Sequence, residues 1–365
     1  MDDIYKTLCS IVGNEHCSNR PEELFIYSFD LGTTEPRRPD YVVAPKSVEE
    51  IQAIVKLANE KNIPIIPLAG GLSLAGLAVP QKGGILIDLK RMDRIIEINE
   101  KARYAVIECG VSQGQLTSYL DRYYPHLTHS EPGAPPAATI AGNVMIHGQG
   151  DLSHPYGFTS DMVCGLEVVL PDGEIIEVGS CAIGAGWFSM HPLPDVNIFL
   201  GWCGTTGIIT KLSIRLFPAK KIRGVGTFVV EDETLVPEII YKITHTQLCE
   251  DIIAYSRAIP PFASGLHHIT VNIAADSEKE LEFKQEIIWD DTLGEYIKKG
   301  IGGYLGFTRG LERPQISKTS DYKKGGGFEY VGGIMPVETY PVCYRRGRII
   351  SERHNIPYTV TARVI

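Results

Sequence analysis

The sequence predicts an α+β protein built of two successive units, and three observations carry that reading. A chain of 365 residues is longer than one ordinary hydrophobic core needs. Short apolar runs alternate with helical stripes between Pro39 and Pro218, and beyond Pro218 the alternation begins again with a different texture. A hydrophobic content of 44% is that of a globular protein able to bury a large core.

The elements follow in order. After an amphipathic opening (Ile4, Leu8, Ile11, Val12), an extended segment, Arg38 to Pro45, leads to a helix. Ser47 caps it, Glu50 completes a capping box, and Val48, Ile51, Ile54, Val55 and Ala58 form one apolar stripe. Ile63 to Pro67 reads as a short buried strand running into Gly70-Gly71-Leu72-Ser73-Leu74-Ala75-Gly76, where glycine permits turns that other residues resist. Gly84 to Leu89, Ile95 to Ile98 and Tyr104 to Cys109 are strand-like, and a helix runs from Ser112 to Tyr123. Thr139 to Asn143 and Gly148-Gln149-Gly150 form a second glycine-punctuated region. Gly165 to Gly179 is a hairpin turning at Pro171-Asp172-Gly173, and a long strand runs from Ile208 to Phe217.

The second unit reads as a strand (Thr227 to Val230), a helix (Leu235 to Gln247), a strand (His268 to Ala274), a charged helix (Ser277 to Tyr296), a glycine run (Gly325-Gly326-Gly327), a helix (Thr339 to His354) and a strand (Tyr358 to Val364). The expected organisation is therefore an N-terminal helical extension over 1–36, a first domain over 37–218 and a second over 219–365.

Composition excludes several function classes. A net charge of -9 leaves no basic surplus for phosphate neutralisation, so nucleic acid is not an expected partner. The start lacks a cationic and apolar leader, and no charge-free run is long enough to cross a bilayer, which leads us to expect a cytoplasmic protein without a transmembrane segment. The eight cysteines include no C-x-x-C pair, so no metal site is expected and most should be small buried hydrophobes.

The two glycine-rich loops, each beside a strand, can present backbone N–H groups to a diphosphate, although glycine loops more often serve as turns. No G-x-G-x-x-G opens a helix and no Gly-Lys-Ser/Thr follows a glycine loop, so neither a Rossmann nor a P-loop site is present.

In pattern, Pro39 to Pro218 resembles the FAD-binding domain of the vanillyl-alcohol-oxidase/p-cresol-methylhydroxylase (PCMH-type) superfamily, including its glycolate oxidase and D-lactate dehydrogenase branch. The matching pieces stand in one order: Pro39 to Pro45 with the Glu49-Glu50-Ile51 helix, Pro64 to Gly76, Ile107 to Val111, Ala138 to Asn143, Tyr156-Gly157, Gly165 to Gly173, and Gly204-Thr205-Thr206-Gly207-Ile208-Ile209-Thr210. The resemblance implies two α/β subdomains holding FAD, followed by an α/β, ferredoxin-like substrate-cap domain. It further implies that Ala69, Gly70, Gly71, Leu72 and Ser73, with Pro132, Gly133, Ala138, Thr139, Gly142, Asn143, Gly148 and Gly157, wrap the cofactor. Ile208 and Ile209 would lie at its adenine end.

The departures are informative. Leu68-Ala69-Gly70-Gly71-Leu72 stands where the glycolate oxidase branch has Arg-Gly-x-Gly-Thr, and the loop holds no histidine for a covalent link, so non-covalent FAD is expected. Phe158 follows the Tyr-Gly pair where the phenol-oxidising branch has an aspartate. Gly332 to Pro336 resembles a cap segment, but the G-H-x-G-D-G-N-x-H motif of the D-lactate branch is absent, and Val364-Ile365 is an abrupt place to stop, so the cap is expected to be truncated.

His154 and Tyr156 are the candidate catalytic residues, as proton acceptor and substrate hydrogen-bond donor, each with a structural alternative as a loop residue. His147 carries the same two readings. His267 and His268 are neighbours on a strand and face opposite sides, which rules out shared ligation. Asp161 reads as a cap, and Trp187 and Trp202 as packing residues. The implied activity is hydride transfer from an alcohol-bearing small molecule, a 2-hydroxy acid such as lactate or glycolate, to FAD, with an aryl or phenolic alcohol as the alternative. Electrons would pass to an acceptor protein or iron-sulfur subunit. A different class of reading is a flavin-binding subunit that needs a partner chain.

Overall fold

The computed structural model describes residues 3–191, 195–257, 266–309, 332–356 and 358–365. These fall into two compact units, one of 3–148, 158–191 and 195–218, the other of 149–157, 219–257, 266–309, 332–356 and 358–365. The expected glycine run at 325–327 lies outside the described residues.

The first unit holds two larger sheets and a two-stranded ladder. In chain order its strands are β1 (Cys17–Ser18), β2 (Tyr41–Val43), β3 (Ile65–Leu68), β4 (Ile85–Asp88), β5 (Ile95–Asn99), β6 (Tyr104–Glu108), β7 (Leu127–Thr128), β8 (Val163–Val169), β9 (Ile175–Gly179), β10 (Ile208–Arg215) and β11 (Phe217–Pro218). The ladder is formed by β7 and β11, in which Phe217 pairs with Thr128. The first sheet has the order β1-β2-β4-β3, with β2 and β3 both parallel to β4. Parallel neighbours need a crossover, and helix α3 (Val48–Lys61) supplies it between β2 and β3. Ser47 accepts from the Glu50 amide at 3.3 Å, while the Glu50 carboxylate reaches the Lys46 amide at 2.8 Å, one residue before the position a capping box requires. Asn62, at φ 53°, closes the helix in the left-handed region.

The second sheet, β5-β6-β10-β8-β9, is antiparallel throughout. Helix α4 (Gln113–Tyr123), capped by Ser112, buries Leu116 and Leu120. Ile54 of α3, Ile87 of β4, Ile107 of β6, Leu116 of α4 and Leu212 of β10 are fully buried in one continuous core, so the two sheets and the two helices fold as one unit.

Beyond residue 218 the second unit runs through β12 (Ile222–Val230), the Leu235–Thr246 helix, β13 (Asp251–Arg257), β14 (His267–Ala275), the Glu278–Glu286 helix and β15 (Gly303–Arg309). The Tyr340–His354 helix and β16 (Thr359–Arg363) follow. The sheet order is β15-β12-β14-β13-β16, in which the first four strands form a β-α-β-β-α-β arrangement. Alternation gives the sheet two unlike faces. Phe228, Ile252, Ile269 and Val271 are fully buried with Ile239 and Ile243 of the first of these helices. The other face carries Thr227 hydrogen-bonded to Thr270 at 3.2 Å, and Tyr255 stacked on His268 with centroids 4.8 Å apart.

The charged helix expected from Ser277 to Tyr296 is not continuous. It widens into a π turn over Ile287–Thr292, where the Leu293 amide reaches back to the Ile288 carbonyl at 3.1 Å. The Thr292 hydroxyl takes the Ile287 carbonyl at 2.8 Å, and this competition for backbone acceptors accompanies the wider turn that buries Ile288, Trp289 and Leu293 together.

Phe228 is fully buried in the second core. Phe228→Ala is expected to lower the stability of that unit by about 3–5 kcal/mol. Urea unfolding followed by hydrogen exchange in β12 and β14 will read the loss, and an unchanged midpoint would show that the aromatic core is not what holds this sheet.

Candidate cofactor and substrate site

The first glycine loop leaves the C-terminal end of β3, the edge at which open sheets with parallel strands bind ligands. A Cβ on Gly70 would stand 3.0 Å from the Thr139 amide nitrogen and 3.4 Å from the Ala137 carbonyl, so this loop lies directly against the second. Gly71 adopts φ 72°, a conformation that costs other L-residues. Thr139 caps the short Ile140–Met145 helix by accepting from the Gly142 amide at 3.2 Å, and a Cβ on Gly142 would meet that same hydroxyl at 2.9 Å.

A third segment closes in beside these two. A Cβ on Gly204 would lie 3.3 Å from Pro67, and one on Gly201 only 2.0 Å from the His147 ring. The Cys203 amide donates to Met145 O at 2.9 Å. Thus the structure brings together Gly70, Ala138, Thr139, Gly142 and Asn143, with Gly148 packed on the Asn143 side chain. Asn143 is buried and donates to Thr159 Oγ1 at 2.8 Å. Leu72, Ser73, Pro132 and Gly133 lie at half-buried positions in the same two loops. Ile208 and Ile209 are buried in β10, where they pair with Val169 and Val168 of β8.

His147 is exposed, at φ 50°, and its Nδ1 lies 2.7 Å from Ser160 Oγ. Asp161 accepts from the Phe158 amide at 2.8 Å, in keeping with a capping role. Lys211 Nζ lies 5.5 Å from the centroid of Trp187, which is half-buried. Trp202, read from the sequence as a packing residue, is by contrast 58% exposed, at a turn in which the Thr205 amide donates to Trp202 O.

His154, Tyr156 and Gly157 group with the second unit. Burial lowers the imidazole pKa of His154, and its Nδ1 lies 4.0 Å from the Cys249 thiol, itself pushed up to about 12 by burial. Tyr156 is 48% exposed, more open than a packed loop anchor would be. Close by in sequence, the Asp151 carboxyl is pushed up to about 7, chiefly by burial and also by Glu250 and Asp251, against the opposing pull of Arg363 and Arg223. Those four are themselves paired. Arg363 grips the buried Asp251 with two bonds of 2.8 and 2.6 Å, and Arg223 meets Glu250 at 3.1 Å.

Sequence reasoning missed Gln113. Its amide hydrogen bonds to Ala138 O at 2.8 Å, yet both side-chain polar atoms are buried without a partner among the described residues. Thr206 Oγ1 is a second such atom. The available signal was a polar residue between the buried Val111 and Leu116.

Comparison with known proteins gives this geometry a class. Residues 39–179 match the FAD binding domain family. The chain is 30% identical over 220 residues to the glycolate oxidase subunit GlcD of Bacillus subtilis, covering 59% of this chain and 45% of that protein. It is 31% identical over 250 residues to the 4-cresol dehydrogenase [hydroxylating] flavoprotein subunit of Pseudomonas putida, covering 63% and 45%. Among solved structures, 4-ethylphenol oxidase from Gulosibacter chungangensis, in an isoeugenol complex, superposes with a TM-score of 0.81 at 21% identity, covering 99% of this chain and 80% of that one. That likeness concerns the fold. The chain spans about half the length of the curated relatives it matches.

Residues 39–179 of the first unit therefore make an FAD-binding domain, and FAD is its cofactor. The residues present suit that group. Glycines open a backbone-lined cradle, and the orphaned Gln113 amide and Thr206 hydroxyl leave buried polar atoms for a polar ligand or ordered water to satisfy. Among the described residues no helix is long and apolar enough to cross a membrane.

Two predictions follow from this geometry. Gly70→Val is expected to abolish FAD retention, because its branched side chain would enter the Thr139 backbone; an apoprotein that still binds FAD normally would refute the cradle. The second concerns pH. A carboxyl whose folded pKa of about 7 lies above the ordinary 3.8 stabilises the fold at low pH, and that stabilisation is lost as pH rises through the folded value. The depressed His154 acts oppositely, losing stability as pH falls below 6.5. Comparing Asp151→Asn with the parent cancels the histidine. The variant's relative melting temperature should rise between about pH 4 and pH 7 and then level off, and a pH-independent difference would show that Asp151 is not perturbed.

Proposed function

We propose that this chain is the FAD-holding and substrate-covering part of an oxidoreductase that removes hydride from an alcohol-bearing small molecule, a 2-hydroxy acid such as lactate or glycolate. The observation that carries the reading is the close approach of the two glycine loops at Gly70 and Thr139, inside a segment that is an FAD-binding domain. Similarity to a glycolate oxidase subunit supports the substrate class.

Bound FAD supplies the two-electron acceptor. The chain's own residues bind, orient and handle the proton. Ala69 to Ser73 with Ala138 to Asn143 hold the diphosphate and ribityl chain through backbone groups, and Ile208 and Ile209 border the adenine. His154 takes the hydroxyl proton, since its depressed pKa keeps the imidazole neutral at physiological pH, and Tyr156 donates a hydrogen bond to a substrate oxygen. The flavin is held without a covalent bond. The second unit is the substrate cap, and electrons pass on to an acceptor protein or iron-sulfur subunit.

An aryl or phenolic alcohol is the second reading. Its support is the similarity to the cresol dehydrogenase flavoprotein subunit and the half-buried stack of Tyr255 on His268. Phe158, in place of an aspartate, speaks against it. The similarity to a protein named as a flavoprotein subunit also supports a partner chain.

The purified chain should show the double absorbance band of oxidised flavin, with the colour released into solution by acid. Under anaerobic conditions D-lactate or glycolate should bleach it, and bleaching by 4-alkylphenols alone would favour the second reading. A colourless chain that FAD cannot reconstitute would overturn both.

A further inference from the structure

The FAD-binding domain match begins at residue 39, yet the chain before it is fastened to the first glycine loop. The Asp30 carboxylate accepts from the Gly76 amide through Oδ2 at 2.6 Å and from the Gly32 amide through Oδ1 at 2.8 Å. The Leu31 amide donates to Ser73 O at 3.1 Å. The packing is equally close: a Cβ on Gly32 would stand 2.2 Å from Leu74 O, and one on Gly76 2.3 Å from Thr34 Oγ1. Gly76 itself adopts φ 69°. Upstream, Tyr27 donates to Asp88 at 3.0 Å, anchoring the same segment to the end of β4.

We infer that residues 27–34 are a strap belonging to the cofactor site, with Asp30 the positioning residue that fixes the 70–76 loop in its diphosphate-binding shape. A loop with three successive small positions, Ala69-Gly70-Gly71, and a further glycine at Gly76 must be ordered before its amides can act together, and glycine loses the most freedom on ordering. A carboxylate that ties its own strap at Gly32 to the loop at Gly76 offsets part of that cost, since hydrogen bonds to charged groups are stronger than those between neutral ones. This chain lacks an arginine in the loop, so backbone placement carries more of the burden. The strap and loop also line an open cleft of about 220 Å³ with Tyr27, Phe29, Asp30, Gly70, Gly71 and Lys90, so the strap forms one wall of the space beside the glycine loop. The inference rests on FAD being the cofactor and on no choice of substrate.

The test uses the full chain freed of flavin. Asp30→Ala should weaken FAD binding at least about tenfold, measured by quenching of flavin fluorescence, because two charge-assisted bonds are lost. In the apoprotein, amide hydrogen exchange across 70–78 should accelerate while that of β4 stays unchanged. Asp30→Asn, which keeps one acceptor oxygen, should fall between the two. Gly32→Ala pushes the strap from Leu74 without touching the charge and should give the same loss, which keeps the inference open to refutation if Asp30→Ala does not fold. FAD affinity within about twofold of the parent in a folded variant, or equal falls in the apo- and holoprotein melting temperatures with unchanged exchange, would make Asp30 an ordinary structural residue and overturn the inference. A parent chain that takes up no FAD would overturn the cofactor assignment itself and the strap's role with it.

Discussion

Backbone rests on backbone where Gly70 meets the Thr139 amide, and the first unit is arranged so that this contact can exist. Two loops far apart in sequence can approach so closely only if neither carries a side chain at the point of contact and both leave rigid elements. One leaves β3, which is pinned in parallel to β4, and the other opens the Ile140–Met145 helix, whose Ile140, Ala141 and Val144 are buried in the core. Anion recognition by backbone amides needs this rigidity, because dipoles that must reorganise on binding contribute little.

The same economy appears in how the second sheet of this unit is built. β10 pairs with β6 on one side and β8 on the other, and the turn before it delivers Gly201 and Gly204 to His147 and Pro67. Charges that enter the interior are matched there. Glu108, nearly inaccessible, takes both the backbone and the guanidinium of Arg94, and Glu167 takes Lys211 and the Thr210 hydroxyl. The orphaned amide of Gln113 stands out against this background, and it lies beside the loop that the FAD-binding domain uses.

Much of this was legible in the sequence where a periodic or local signal existed. Helix α3 showed its stripe and its serine cap, α4 its extent, the hairpin of β8 and β9 showed its Pro-Asp-Gly turn, and both glycine loops announced themselves by composition. β13 was missed because Asp251-Ile252-Ile253-Ala254-Tyr255 has apolar residues on both faces, which erases alternation. The π turn was missed because its cause is a hydroxyl competing for one carbonyl, a feature without period. Gln113 and Asp30 act through partners that only the fold brings near, at Ala138 and Gly76. The grouping of 149–157 with the second unit has no local signal at all.

The polar face of the second unit's sheet bears on what kind of molecule such a surface can receive. Among the described side chains two guanidiniums of this face are engaged, Arg363 with Asp251 in a bidentate pair and Arg223 with Glu250, and Asn272 adds a bond to Asp251 at 3.4 Å. A carboxylate arriving there would have to displace a buried partner, and breaking a buried pair costs about 3–5 kcal/mol. A neutral ring laid against the stack of Tyr255 on His268 would leave both guanidinium pairs intact, and aromatic stacking adds about 0.5–1.5 kcal/mol. A carboxylate recognised at this face would therefore need a cation other than these two guanidiniums, whereas an aryl ring would not.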